Sequence, residues 1–181
     1  MPNRLVAYVL DALILTIAIF LVAAVVGAIA GPTIRIDAAE EIDVDDRMVV
    51  VNAVIGCALN AGYFIVSWTR LQASPGQRLL AIGLVSAADE ASISIAQALV
   101  RWLLLGAPFA TATVLGLAVP AAALVLMLAA LAWYVCLLVT TARSPRKQGL
   151  HDRGAGTVVV KALPLAIGPA AASVAEAERV R

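Results

Sequence analysis

Charge is scarce in this sequence. Asp, Glu, Lys and Arg make up 14% of its 181 residues, and they balance to +1, so no overall field points to nucleic acid as a partner. Histidine occurs once and cysteine twice. A zinc site needs clustered Cys and His ligands at short spacing; none is readable, and no cofactor is expected. Cys57 and Cys136 both fall inside apolar runs and read as small hydrophobes rather than a disulfide framework. Nucleophilic catalysis would need a Ser or Cys brought to His151, and nothing marks one. The chain is not expected to be an enzyme.

Apolar residues are what it has in excess. They make up 62% of the chain, against about 45–50% in a soluble domain. A core of this size cannot hide that surplus, so a lipid bilayer must cover it. The expected class is an all-α, four-helix transmembrane bundle in a single domain over 1–163. The alanine- and proline-rich stretch 164–181 is expected to be a disordered tail.

The spans are read at 5–30, 48–68, 102–119 and 121–141. The first is too long, and carries an acid, for the core of a cleavable secretory signal, although Ala28-Ile29-Ala30 has the small-x-small form of a cleavage site. Residues 102–141 would extend about 60 Å as one helix, twice a hydrocarbon core of about 30 Å. They form a hairpin that turns at Pro120, with Pro108 bending its first arm. In the second span Asn52, Gly56, Asn60, Tyr63 and Ser67 recur at helical spacing on one face. That face should look at other helices or line a conduit, since polar groups in hydrocarbon need partners.

Between the first two spans, 31–47 reads as an external acidic loop with Asp37, Glu40, Glu41, Asp43, Asp45 and Asp46. Its plain reading is a solvated loop; the alternative is a funnel for cations. With four spans, eleven of the thirteen Lys and Arg lie on one side and only Arg35 and Arg47 on the other. The positive-inside rule then places both termini in the cytoplasm of a cell-membrane protein. On that side the segments 78–86 and 157–161 are short, apolar and β-favouring, each beside a glycine-containing turn. Pairing them would satisfy backbone groups that the interface cannot leave bare, giving a small cap with a two-stranded β-pair. The rival is that 158–160 continues an interfacial helix. The pairing would bring Asp152 and Arg153 near Arg78, with Asp152 tied either to Arg78 or to backbone N–H groups of its own turn.

Six polar residues are candidates for function or for holding the fold: Arg4, Asp11, Arg101, His151, Asp152 and Arg153. Asp11 lies inside a span, where an ionisable group needs a partner and is a functional suspect. Arg4, about 10 Å away along the helix axis, is expected to reach for the lipid headgroups. Arg101 is therefore the expected partner of Asp11. Gly154 and Gly156 give the turn after His151-Asp152-Arg153 its freedom.

These residues carry a resemblance. Arg4 and Asp11 in the first span, Ser74-Pro75-Gly76-Gln77-Arg78-Leu79-Leu80, Arg101, and Gly149-Leu150-His151-Asp152-Arg153-Gly154-Ala155-Gly156-Thr157 resemble the RDD family of bacterial membrane proteins. The family is named for an arginine and two aspartates, which match Arg4, Asp11 and Asp152. The likeness runs from Arg4 to about Val160. The family pattern has lysine where Gln77 stands, glycine at Ala81 and a basic residue at Gly83, so this chain's cytoplasmic loop carries less positive charge. The resemblance implies a small multi-pass domain that aids transport, with cation/proton antiport for some members.

Two functions follow as expectations. In one, Asp11 is a proton or monovalent-cation site of a transport-related protein, alone or as a homo-oligomer. In the other, the chain is a non-transporting scaffold or membrane partner subunit whose Arg–Asp contacts lock the fold. A polar cavity reaching Asp11 favours the first; a dry, fully paired Asp11 favours the second.

Overall fold

The computed structural model describes residues 2–36 and 42–161. The expected tail at 164–181 and the loop acids Asp37, Glu40 and Glu41 lie outside the described residues. In chain order the elements are α1 (Pro2–Ala30), β1 (Ile34–Ile36), β2 (Ile42–Val44), α2 (Asp46–Leu71), α3 (Pro75–Leu79), β3 (Ile82–Ser86), α4 (Ile95–Ala118), α5 (Pro120–Arg143), α6 (Leu150–Gly154) and β4 (Thr157–Lys161). Four of them, α1, α2, α4 and α5, are long and apolar enough to cross a membrane.

Local chemistry sets the helix ends. Asp45 caps α2 by accepting from the N–H groups of Arg47 and Met48 at 3.0 and 3.2 Å, and Arg70 complements the dipole in its last turn. Ser94 and Gln97 close a reciprocal capping box at 2.9 and 3.2 Å. That box starts α4 at Ile95, seven residues before the apolar run that begins at Trp102. Val119 alone separates α4 from α5, and Pro120 opens α5, where its missing N–H costs nothing.

Pro108 lies inside α4 and cannot donate to the carbonyl of Leu104, four residues back. Trp133 of α5 fills the gap: its Nε1–H donates to Leu104 O at 2.8 Å. Next to it Tyr134 donates its hydroxyl to Leu105 O at 2.5 Å. The hairpin partner thus satisfies backbone that hydrocarbon could not.

α1 packs on α2 and α3, α2 on α4, and α4 on α5 and α6. Few side chains are buried along the spans themselves, and residues such as Phe20 and Leu124 are about 70% exposed, a surface only lipid can cover. The densest core lies at one end, where Trp68, Leu84, Ile93 and Ala98 are buried against Phe64, Trp102 and Val159. There β3 and β4 pair antiparallel, Leu84 opposite Val159 and Ser86 opposite Thr157. The expected cap sheet is present, and 158–160 is strand rather than helix.

The other end differs from expectation. The stretch 31–47 is not a plain loop: β1 and β2 pair antiparallel, with Ile34 opposite Val44 and Arg35 opposite Asp43. Asp45 N–H closes the stem onto Thr33 O at 2.9 Å, and Asn52 of α2 donates to Thr33 Oγ1 at 3.0 Å. Alternating aliphatic and charged residues favour a ladder here.

Candidate functional site

Two buried aspartates organise the cap end, each at a different level. Asp11 belongs to a stripe of α1, Ala7, Asp11 and Leu15, that is 1%, 2% and 5% exposed. The stripe meets the start of α3. Ser74 caps that short helix, Pro75 occupies its first turn, and Gln77 completes a capping box with Ser74. The fold of this turn aims donors at α1. Gly76 N–H donates to Asp11 Oδ1 at 2.7 Å, Ser74 Oγ–H donates to Oδ2, and Tyr63 of α2 donates its hydroxyl to Oδ1 at 2.7 Å. Both carboxylate oxygens are engaged, and all three donors are neutral.

Arg101 is not the partner of Asp11, contrary to expectation. It is 4% exposed on α4, and its Nη1 donates to Asp152 Oδ1 and to Thr157 Oγ1 at 2.9 Å. Its guanidinium lies over the Trp68 ring, 5.2 Å from the centroid, a cation–π contact. Depth along the chain axis made Asp11 and Arg101 look like neighbours; the rotation of each helix separates them.

Asp152 is fully buried. It sits in the first turn of α6, where its Oδ2 accepts the N–H of Gly149 at 3.2 Å. Of the two ties expected for Asp152, its own turn supplies one; Arg101 and Arg4, rather than Arg78, supply the other. Arg4 Nη1 stands 3.7 Å from Asp152 Oδ2 and donates to Lys147 O. Arg4 Nη2 donates to Val159 O at 3.0 Å. Arg4 thus clasps the cap instead of reaching for headgroups. One carboxylate gathers α1, α4 and the α5–α6 turn, and Arg4 and Arg101 carry the cluster on to β4 through Val159 O and Thr157 Oγ1.

His151 Nε2 is 3.5 Å from Asp152 Oδ1, and its Nδ1 is buried without a hydrogen-bond partner. Burial, reinforced by the positive charge of Arg101, pulls the imidazole down to about 4 despite the neighbouring carboxylate. Burial pushes the Asp152 carboxyl the other way, but Arg101 and its hydrogen bonds hold it below the usual carboxylate range. Arg153 is exposed and, among the described residues, forms no ion pair. It stands apart from the cluster.

Elsewhere on the expected polar face of α2, Asn60 and Gly56 meet other helices. Asn60 Oδ1 accepts from Trp102 Nε1–H at 2.8 Å, and Gly56 packs on Ile19. A cavity of about 150 Å³ opens beside them, lined on α1 by Tyr8, Ala12, Leu15, Thr16 and Ile19 and on α2 by Asn60 and Phe64; Asp11 does not line it. Among the described residues no group of His, Cys, Asp and Glu could hold a metal ion.

Tyr63, Ser74, Gly76 and Thr157 are the site residues that sequence reasoning did not assign. Ser74 and Gln77, spaced as a capping box around Pro75, were the available signal. No curated protein and no solved structure matches this chain. The model of the RDD family matches residues 1–156, which contain Arg4, Asp11, Arg101 and Asp152, and the chain belongs to that family of membrane proteins.

Proposed function

We propose that this multi-pass protein is a non-transporting membrane scaffold or partner subunit, not an enzyme, in which Arg4, Asp11, Arg101 and Asp152 act as a structural lock. The observation that carries this reading is Asp11 itself. It is 2% exposed, and Tyr63, Ser74 and Gly76 occupy its two oxygens. A buried carboxylate whose two oxygens already accept three hydrogen bonds from neutral protein donors is poorly placed to take up a travelling ion. The charge distribution of the sequence favours a cell-membrane protein with both termini in the cytoplasm and the β1–β2 hairpin outside.

The alternative, proton or monovalent-cation transport through Asp11, draws on the cavity lined by Tyr8, Thr16 and Asn60. Tyr63, which touches Asp11 and lies between Asn60 and Phe64 in number, would have to release the carboxylate toward it.

Ion flux into proteoliposomes holding the purified protein separates the two. No proton- or sodium-dependent flux above empty vesicles is expected, and Asp11→Asn should behave as the parent does. Flux that disappears in Asp11→Asn would overturn the scaffold reading. Orientation has its own check in a Cys57→Ala, Cys136→Ala background: Glu41→Cys should label from outside intact cells and Lys147→Cys should not.

A further inference from the structure

We propose that the rim of the β3–β4 cap is a binding collar for the phosphate headgroups of anionic phospholipids. The two buried carboxylates, Asp11 and Asp152, are spent internally, Asp11 on neutral donors and Asp152 on Arg101, Arg4 and its own turn. The cations around them are left over. Arg70, Arg78 and Arg153 are exposed, as are Arg143, Arg146 and Lys147 where α5 ends, and none forms an ion pair among the described residues. The exposed acids at this end, Asp89 and Glu90, sit together on the turn between β3 and α4.

A second observation selects lipid over free phosphate. Each of the first three arginines lies close in its own helix to an exposed leucine: Leu71 beside Arg70 at the end of α2, Leu79 beside Arg78 in α3, and Leu150 in the same turn as Arg153 in α6, at 44%, 72% and 38% exposure. A soluble anion gives those leucines nothing. The boundary between headgroup and acyl chain serves both halves of each pair, apolar side chain inward and guanidinium at the phosphate. The exposed apolar surface of the span continues to the collar, since Leu71 is the last residue of α2 and Val66, five residues earlier, is 58% exposed. Gln77 and Gly83 contribute no charge, and the densest run of cations in the collar is Arg143, Arg146 and Lys147 at the end of α5 and in the turn that follows it.

Native mass spectrometry of the purified full chain, titrated separately with phosphatidylglycerol and phosphatidylcholine, tests this. Phosphatidylglycerol should be retained about tenfold better. Arg143→Gln, Arg146→Gln and Lys147→Gln should reduce that preference by about fivefold per cation if each acts near the surface, with full loss once it is exhausted. Phosphatidylcholine retention serves as the control for folding and should not change. Equal retention of the two lipids by the parent chain would overturn the proposal whatever the variants do. Displacement of bound phosphatidylglycerol by millimolar inorganic phosphate would overturn the lipid assignment in favour of a free-anion site.

Discussion

Gly76 donates its backbone N–H to Asp11 at 2.7 Å, and α1 and α3 meet there with no room for a side chain. A Cβ on Gly76 would collide with the carbonyl of Ala7 and stand 2.9 Å from the Asp11 carboxylate. Backbone on one side and a carboxylate held by three hydrogen bonds on the other have little room to yield. Gly76→Ala should therefore cost about 1–3 kcal/mol through overpacking, read as a lower Tm in detergent. An unchanged Tm would mean that α3 can retreat from α1 without penalty.

Asp152 and Arg153 are neighbours with opposite fates. Asp152→Ala leaves Arg101 buried without its carboxylate and Arg4 without its nearest anion, and breaking a buried pair in this way costs about 3–5 kcal/mol. Arg153→Ala removes an exposed side chain and should stay within about 0.5 kcal/mol of the parent. Thermal melting of both variants is the check. Equal, negligible shifts would remove the structural role of Asp152.

Much of this arrangement was legible before the structure. Three adjacent valines and a partner stretch that also needed its backbone satisfied were enough to pair β3 with β4. Span lengths followed from apolar runs. The partners of the charged residues did not follow, because spacing gives depth along a helix but not which neighbour its face meets. Depth alone pairs Asp11 with Arg101, whereas Asp11 faces α3 and Arg101 faces α6. The β1–β2 pair is hard to read for another reason: two three-residue alternations, Ile34-Arg35-Ile36 and Ile42-Asp43-Val44, are too short to stand out beside a run of acids.

Acid should loosen the cap through His151. Its imidazole is held at about 4 in the folded protein, below the ordinary value near 6.5, so the unfolded chain takes up the proton first. Stability is complete above about pH 6.5 and falls as pH drops toward 4, by at most about 1.4 kcal/mol per pH unit for one proton. The Asp152 carboxyl, also lowered, adds a loss of the same sign below about pH 4. His151→Gln should flatten the melting temperature between pH 6.5 and 4 while leaving the steeper acid limb. A parent Tm already flat over that window would contradict the buried neutral histidine.

Ala81 links α3 to β3 with φ of 51°, a left-handed conformation that costs a residue with a Cβ about 1–2 kcal/mol. It is also where the RDD pattern has glycine. The side chain is exposed, so no packing is lost on removing it. Ala81→Gly should stabilise by about 0.5–1 kcal/mol, the strain relieved less the added freedom of the unfolded chain. A fall in Tm would show that the turn holds no such strain.

Trp133 and Pro108 are coupled through a carbonyl that neither owns. Pro108 deprives Leu104 O of its helical donor, and Trp133 Nε1–H supplies a replacement at 2.8 Å. Trp133→Phe keeps most of the ring and removes the donor, leaving a bare carbonyl at membrane depth, where the penalty is of order 1–3 kcal/mol. In Pro108→Ala the restored N–H can donate to Leu104 O, and the indole becomes redundant for that purpose. The double-mutant cycle separates this coupling from the packing both substitutions disturb. Trp133→Phe should lower Tm clearly in the parent and much less in Pro108→Ala. If the two losses are equal, the indole contributes by packing alone and α4 meets the cost of its proline in some other way.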